Sequence, residues 1–245
     1  MPHKAMQLVQ LLRSTKREKR LGTVILFVTS RCNSFCRTCF YHEELNRPGD
    51  LTFAQIEKVS GTMPAITDLW LSGGEPTLRH DASEIIDTFV RRNGVRRLII
   101  PTNGLVKARV FEIVDKALGE HPSLDLYLNI ALDGYGETHD HVRGVPGHWE
   151  KTLDCIQALY PLKEKYRDRL RLNANTVVCA DNYREIEKLG EFMWENCRLD
   201  GQYFNIVRGE TLVGDEIKQV PPDSLPRMYA YVSQLTKPLR RSHVC

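Results

Sequence analysis

The chain has 245 residues, of which 42% are hydrophobic and 27% charged, and its formal net charge is +3. This length suits one large domain with a sizeable core, and the balance is that of a globular protein rather than a disordered one. The basic excess falls in the first twenty residues, so the rest of the chain lacks the strongly basic surface expected of a nucleic-acid-binding protein.

Residues 1–20 combine this basic charge with apolar positions at helical spacing, among them Leu8, Val9 and Leu12. The pattern predicts a basic helix packed on the domain, with contact to a membrane surface as the alternative. The sequence has no apolar run of the 18 or so residues that span a bilayer, and its N-terminus lacks the apolar core of a secretory signal. We therefore expect a cytoplasmic protein without a transmembrane segment.

Short β-rich runs then alternate with longer stretches of helical period, a pattern typical of repeated β-α units. The predicted strands are Thr23–Thr29, Thr67–Leu71, Arg97–Pro101, Leu124–Leu132, Leu170–Val178 and Gln202–Val207. The predicted helices are Thr52–Met63, Ala82–Asn93, Val106–Gly119, His148–Tyr166 and Tyr183–Cys197, with a last one starting near Asp223.

Right-handed crossovers would bring the carboxyl ends of all these strands to one rim. We therefore predict an α/β fold, a partial parallel (β/α)6 TIM-like barrel that is open at one side. It would occupy residues 21–215, between the basic segment 1–20 and a C-terminal helix and tail over 216–245. Polar and glycine-rich residues follow most of the predicted strands, so this rim is the expected place for the chemistry.

Three cysteines, Cys32, Cys36 and Cys39, follow the first strand at C-x3-C-x2-C spacing. Seven cysteines in all is an odd number, and the crowding of three on one loop favours metal ligation over a disulfide framework. Thiolates suit zinc or iron-sulfur clusters. His42 could complete a Cys3His zinc site in a non-catalytic interaction module. The spacing instead fits three ligands of a four-iron cluster that keeps one iron open.

The cysteine loop with the aromatic Phe40 after it resembles that of radical S-adenosylmethionine (radical SAM) enzymes, and Gly73, Gly74 and Glu75 resemble their GGE motif. The resemblance implies a 4Fe-4S cluster whose open iron binds S-adenosyl-L-methionine. It also implies reductive cleavage of that cofactor to a 5′-deoxyadenosyl radical. The glycines would permit close approach of the backbone, and Glu75 would receive the methionine ammonium group.

Further matches to the family lie at the ends of the later strands. Arg143, in a run H-D-x-x-R-G, would bind the methionine carboxylate. Asp133 would help to place the ribose and adenine, although the serine that precedes it in the family pattern is replaced by Ala131. The remaining predicted cofactor-binding residues are Asn103, Asn175 and Arg208.

The resemblance covers the barrel of SPASM-type members and not their extension with auxiliary clusters, so we expect a single cluster. The other internal cysteines, Cys155, Cys179 and Cys197, are expected to be small buried side chains. The resemblance further implies an electron donor such as flavodoxin or ferredoxin and an unidentified substrate, either a peptide or a small metabolite. Besides the zinc module, a partner protein that binds S-adenosylmethionine without turnover is a second alternative.

Overall fold

The computed structural model describes residues 21–235, in which six strands alternate with helices. The strands are β1 (Thr23–Thr29), β2 (Asp68–Gly73), β3 (Arg97–Thr102), β4 (Asp125–Ala131), β5 (Leu170–Val178) and β6 (Gly201–Ile206). All six lie within two residues of their predicted bounds. The basic helix predicted for residues 1–20 lies outside the described residues, as does the end of the tail, residues 236–245.

The main helices are α1 (Phe53–Thr62), α2 (Ala82–Asn93), α3 (Lys107–Glu120), α4 (Glu137–Arg143), α5 (His148–Ala158), α6 (Tyr160–Tyr166), α7 (Ile186–Asn196) and α8 (Ser224–Leu235). The helix predicted over 148–166 is broken at Leu159, because Pro161 cannot supply the backbone N–H that a continuous helix requires. The short α4 was not predicted. None of the described helices is both long and apolar enough to cross a bilayer.

The strands form one parallel sheet in the order β1-β2-β3-β4-β5-β6. Each strand pairs with its neighbours in sequence, and β1 and β6 remain the two edges. The sheet is therefore an open barrel, which confirms the predicted fold class. Since all strands run in the same direction, their carboxyl ends meet at a single rim.

Side chains on the outer face of the sheet form the main core with the helices. Leu69, Leu98 and Leu126 are fully buried there, and each contributes about 1.5–3 kcal/mol by leaving water. Residues on the inner face alternate with them and are larger or more polar, as Trp70 and Tyr127 show. Strands buried on both faces are apolar throughout. The alternation in this sheet therefore indicates that its inner face borders a cavity.

Candidate metal centre and adjoining cavity

The loop after β1 carries the three predicted metal ligands and is attached to the end of α4. The Phe35 amide donates to the Arg143 carbonyl (3.1 Å), and the Arg37 amide donates to the Val142 carbonyl (2.9 Å). Gly144, which ends α4 with φ 66°, packs against the same loop. The loop therefore depends on the H-D-x-x-R-G run for its position as well as on β1.

Cys32, Cys36 and Cys39 are free thiols at least partly shielded from solvent. Burial raises the pKa of all three, that of Cys36 to about 11. Arg143 acts in the opposite direction on each of them. Thiolates are the form that binds metal, so binding would displace the protons that burial retains. A fixed positive charge beside them favours this ionisation.

Arg143 is the electrostatic centre of the site. Its Nη1 donates to Asp133 Oδ2 at 2.9 Å. Burial lowers its pKa, but Cys36 and Asp133 outweigh that effect and raise it. Its Nε is buried and has no hydrogen-bond partner within the described chain. A buried N–H without a partner is costly, so the site is built for an anionic or strongly accepting group beside the guanidinium.

The positions of the thiols distinguish between kinds of metal centre. A tetrahedral zinc ion with Zn–S bonds of about 2.3 Å holds its ligand atoms within roughly 3.8 Å of one another. No three of Cys32, Cys36, Cys39 and His42 bring their ligand atoms within 4.8 Å of one another. Nδ1 of His42 instead lies 3.0 Å from the Cys39 carbonyl. This wider spacing fits separate irons of a cluster, and the zinc alternative is not favoured.

The Gly73-Gly74 turn at the end of β2 packs directly against the start of the cysteine loop. The Gly74 amide donates to the Thr29 carbonyl (2.8 Å) and the Glu75 amide to the Arg31 carbonyl (2.7 Å). A Cβ atom on Gly74 would lie 2.4 Å from the Arg31 carbonyl oxygen. Position 74 therefore requires glycine because two segments of the backbone contact each other here, whether or not a ligand is bound.

Glu75 is buried, with 2% of its surface exposed, and its hydrogen-bond donors among the described residues are all uncharged. Its Oε1 accepts from the Thr77 hydroxyl (2.6 Å), the Thr77 amide (3.2 Å) and the Thr102 hydroxyl (2.8 Å), and its Oε2 accepts from the Asn103 amide (2.7 Å). Burial raises the pKa of Glu75, and these hydrogen bonds oppose the rise. Oε2, with one donor, keeps acceptor capacity for a further group.

A cavity of about 610 Å³ occupies the inside of the barrel. Trp70, Ile99 and Tyr127 lie at one level of the sheet, and Asn129 pairs with Asn173 at the next level toward the rim. Asn175, Asn205 and Arg208 line it nearer the strand ends. Thr38 and Phe40 extend the cysteine loop to the same cavity. The metal centre and the cavity are therefore adjacent.

The structure divides the predicted cofactor-binding residues into two groups. Phe40, Asn175 and Arg208 line the cavity, where Asn205 Nδ2 donates to Asn175 Oδ1 at 2.8 Å. The other group is not among the residues that line the cavity, and three of its members are buried: Glu75, Asn103 and Asp133. Its remaining members are Gly73, Gly74 and Arg143. All of these assignments stay predictions.

Asp133 is fully buried, and both of its carboxylate oxygens are bonded within the chain. Oδ1 accepts from the Val177 amide at 2.7 Å, and Oδ2 accepts from Arg143. In this structure Asp133 orients Arg143 and joins β4 to β5. Each oxygen has one donor and keeps acceptor capacity, so the predicted contact of Asp133 with ribose or adenine stays a prediction.

Several residues of the site were not identified from the sequence. Asn129 and Asn173 were missed, although their alternation with leucine and alanine in the strands was a visible sign of a polar inner face. Ser34, His148 and Asn182 are fully buried polar residues around the cysteine loop and Asp133. Only contacts distant in sequence reveal them, such as the bond of Asn182 Nδ2 to the Asp133 carbonyl (2.7 Å).

Comparison with known proteins places this geometry in a family. The model of the radical SAM superfamily matches residues 26–193. An AdoMet-dependent heme synthase of Methanosarcina barkeri is 30% identical over 214 residues, which cover 86% of this chain and 57% of that protein. A GTP 3′,8-cyclase of Rhodopirellula baltica is 32% identical over 64% of this chain and 43% of its own length. The chain thus spans about half the length of these curated relatives.

Solved structures support the same fold. Streptococcus suis SuiB matches with a TM-score of 0.64 at 19% identity, over 96% of this chain and 51% of that chain. Methylornithine synthase matches with a TM-score of 0.52 at 12% identity, over 89% of this chain and 65% of that chain. At these identities the likeness concerns the fold alone.

Proposed function

We propose that this chain, which belongs to the radical SAM superfamily, holds a 4Fe-4S cluster through Cys32, Cys36 and Cys39 and cleaves S-adenosylmethionine beside it. Members of this family use both cofactors. When bound, the cluster supplies the electron that splits S-adenosylmethionine into methionine and a 5′-deoxyadenosyl radical. One observation carries the proposal, namely three free thiols on one loop beside a guanidinium whose buried Nε has no hydrogen-bond partner within residues 21–235.

Arg143 would provide the positive charge that an anionic cluster or a carboxylate requires. Its bond to Asp133 fixes the guanidinium, so little side-chain freedom is lost when a ligand binds. Its Nε, which has no hydrogen-bond partner in the described part of the chain, offers a donor within the protein interior. Both properties support the predicted role in binding the methionine carboxylate.

Glu75 would receive the methionine ammonium group. The carboxylate has no basic side chain among its hydrogen-bond partners within residues 21–235. A buried charge without a counterion is unfavourable, and an ammonium group would supply the missing charge. The four hydrogen bonds from the protein hold the carboxylate in place before the ligand arrives. Glu75→Gln should therefore weaken S-adenosylmethionine binding and leave the iron content unchanged.

We infer that the part of the substrate that enters the cavity is uncharged and forms hydrogen bonds. Arg208, near the rim, is the one ionised side chain among the described lining residues. The side-chain Nδ2 of Asn173 donates to Asn129 Oδ1 at 3.1 Å. This bond leaves the side-chain Nδ2 of Asn129 as a donor and the side-chain Oδ1 of Asn173 as an acceptor for a ligand. An amide-bearing segment of a peptide or a neutral metabolite fits such a lining.

This inference separates the chain from the relatives named GTP 3′,8-cyclase. A triphosphate carries several negative charges, and Arg208 alone would not neutralise them. We expect the reconstituted protein not to consume GTP under conditions in which it cleaves S-adenosylmethionine. Conversion of GTP under those conditions would overturn the inference about the cavity and leave the cleavage reaction unaffected.

Anaerobic reconstitution tests the proposed function. We expect about four iron atoms per chain, together with formation of 5′-deoxyadenosine that requires both dithionite and S-adenosylmethionine. Dithionite replaces the natural electron donor, which we propose to be a flavodoxin or ferredoxin. A colourless protein that retains one zinc ion would support the interaction module instead. Iron binding with S-adenosylmethionine binding but without 5′-deoxyadenosine would support the non-catalytic partner.

A further inference from the structure

A chain of buried hydrogen bonds runs from the cysteine loop to Asp133 and involves neither the thiols nor Arg143 directly. Ser34 lies between Cys32 and Cys36, and its Oγ is 3.3 Å from His148 Nε2. His148 Nδ1 is 2.9 Å from His139 Nε2, and His139 Nδ1 accepts from the Asp133 amide at 3.0 Å. Ser34, His139 and His148 are all fully buried.

The Asp133 backbone amide fixes the tautomers of both histidines, which we assign from the hydrogen-bond network. Because an amide can only donate, His139 Nδ1 carries no hydrogen, and the hydrogen of the neutral ring is on Nε2. That Nε2–H faces His148 Nδ1, so this nitrogen accepts, and the Thr152 hydroxyl, 2.9 Å from the same nitrogen and 3.1 Å from the Asn103 carbonyl, can turn to donate to either of them. The hydrogen of His148 is then also on Nε2 and is donated to Ser34 Oγ.

Asn103 supplies a second donor to Ser34. The Leu105 amide donates to Asn103 Oδ1 at 3.0 Å, which fixes the orientation of the carboxamide and directs its Nδ2 to Ser34 Oγ at 3.0 Å. Both lone pairs of the Ser34 hydroxyl are therefore occupied by donors. Within the described part of the chain Ser34 Oγ has no further hydrogen-bond partner, and its own hydrogen remains to be donated.

We propose that the Ser34 hydroxyl donates this hydrogen to a sulfur atom of the cluster held by Cys32, Cys36 and Cys39, and that His148 is a positioning residue that keeps it so oriented. The proposal rests on the proposed cluster site. Ser34 lies on the loop that carries these cysteines, two residues from Cys32 and two from Cys36. Hydrogen bonds to cluster sulfurs favour the more negative, reduced cluster and raise its reduction potential.

The midpoint potential of the reconstituted cluster tests the proposal. Ser34→Ala should bind iron normally but lower the ratio of reduced to oxidised cluster about tenfold at a fixed solution potential, a shift of about 59 mV for one electron. His148→Leu should shift the potential in the same direction by less, because the hydroxyl is kept but is free to turn. Ser34→Thr, which keeps a hydroxyl, should restore the potential.

Ser60→Ala is the matched control, because Ser60 is equally buried and donates to Asn93 Oδ1 at 2.6 Å. This variant should leave the potential unchanged. A second readout uses the cluster-free protein, in which ¹⁵N NMR at pH 7 should find the hydrogen on Nε2 of both His139 and His148.

An unshifted potential in iron-loaded Ser34→Ala would overturn the proposal, as would a hydrogen on Nδ1 of either histidine. If Ser34→Ala does not bind iron, an unshifted potential in His148→Leu overturns it instead. Failure of the proposed function gives a different result, because the unsubstituted protein would then bind no cluster or form no 5′-deoxyadenosine.

Discussion

Gly144→Ala should detach the cysteine loop from α4. Gly144 has φ 66°, a conformation that costs an alanine about 1 kcal/mol. A Cβ atom there would also lie 2.4 Å from the Phe35 carbonyl oxygen, well inside contact distance. Overpacking of this kind costs about 1–3 kcal/mol. We therefore expect a total loss of roughly 2–4 kcal/mol in the free energy of unfolding, measured with urea.

Gly94→Ala separates the two contributions. Gly94 ends α2 with φ 70° and ψ 30°, nearly the conformation of Gly144, but a Cβ atom there would meet nothing within 4 Å. The Gly94→Ala variant should lose only the cost of the backbone conformation, about 1 kcal/mol in the free energy of unfolding. It should keep its full iron content after reconstitution. Gly144→Ala should bind less iron because the loop must move. Equal losses of stability and equal iron content in the two variants would refute this reasoning.

Three further predictions concern stability. Burial, assisted by Arg143, lowers the pKa of His148 to about 4, whereas the pKa of an unfolded histidine is near 6.5. The contribution of neutral His148 to the free energy of unfolding is therefore complete above pH 6.5 and is lost as the pH falls toward 4. Protonation of unfolded His148 should contribute about 2 kcal/mol to the loss seen in urea unfolding between pH 6.5 and pH 5. His139, whose pKa burial also lowers, adds to the loss, so the loss should be smaller but not zero in His148→Gln. Asp140→Ala should cost about 2–3 kcal/mol in the same assay, because Asp140 accepts from the Gly147 (2.6 Å) and Trp149 (2.7 Å) amides; a cost below 0.5 kcal/mol would contradict this. Thr52→Ala should cost about 1 kcal/mol by removing the capping box of α1, with iron content unchanged.

The fold was accessible from sequence because its signals are local. Each strand is a short β-rich run, and each helix has an apolar face of helical period, so the alternation alone predicts a parallel sheet. The break at Leu159 was missed although Pro161 marks it. The short α4 was missed because seven residues with few apolar side chains give no periodic signal.

The candidate site was predicted in part, for a different reason. Cys32, Cys36 and Cys39 are grouped by sequence spacing, which is visible without a structure. Two of the donors to Glu75, Thr102 and Asn103, come from the end of β3, and no local pattern gives these contacts. The Ser34–His148 contact joins residues 114 positions apart. Such contacts depend on how segments distant in sequence pack together and are known only once the strands are placed.

The most direct test of the central claim is the formation of 5′-deoxyadenosine by Cys36→Ala after anaerobic reconstitution with iron and sulfide. Cys197→Ala is the control, since Cys197 is also partly buried but packs against the main core instead of lying on the cysteine loop. We predict that Cys197→Ala forms 5′-deoxyadenosine at the rate of the unsubstituted protein and that Cys36→Ala, folded but depleted of iron, forms none. Undiminished 5′-deoxyadenosine from Cys36→Ala would contradict the assignment of the cysteine loop as the cluster site.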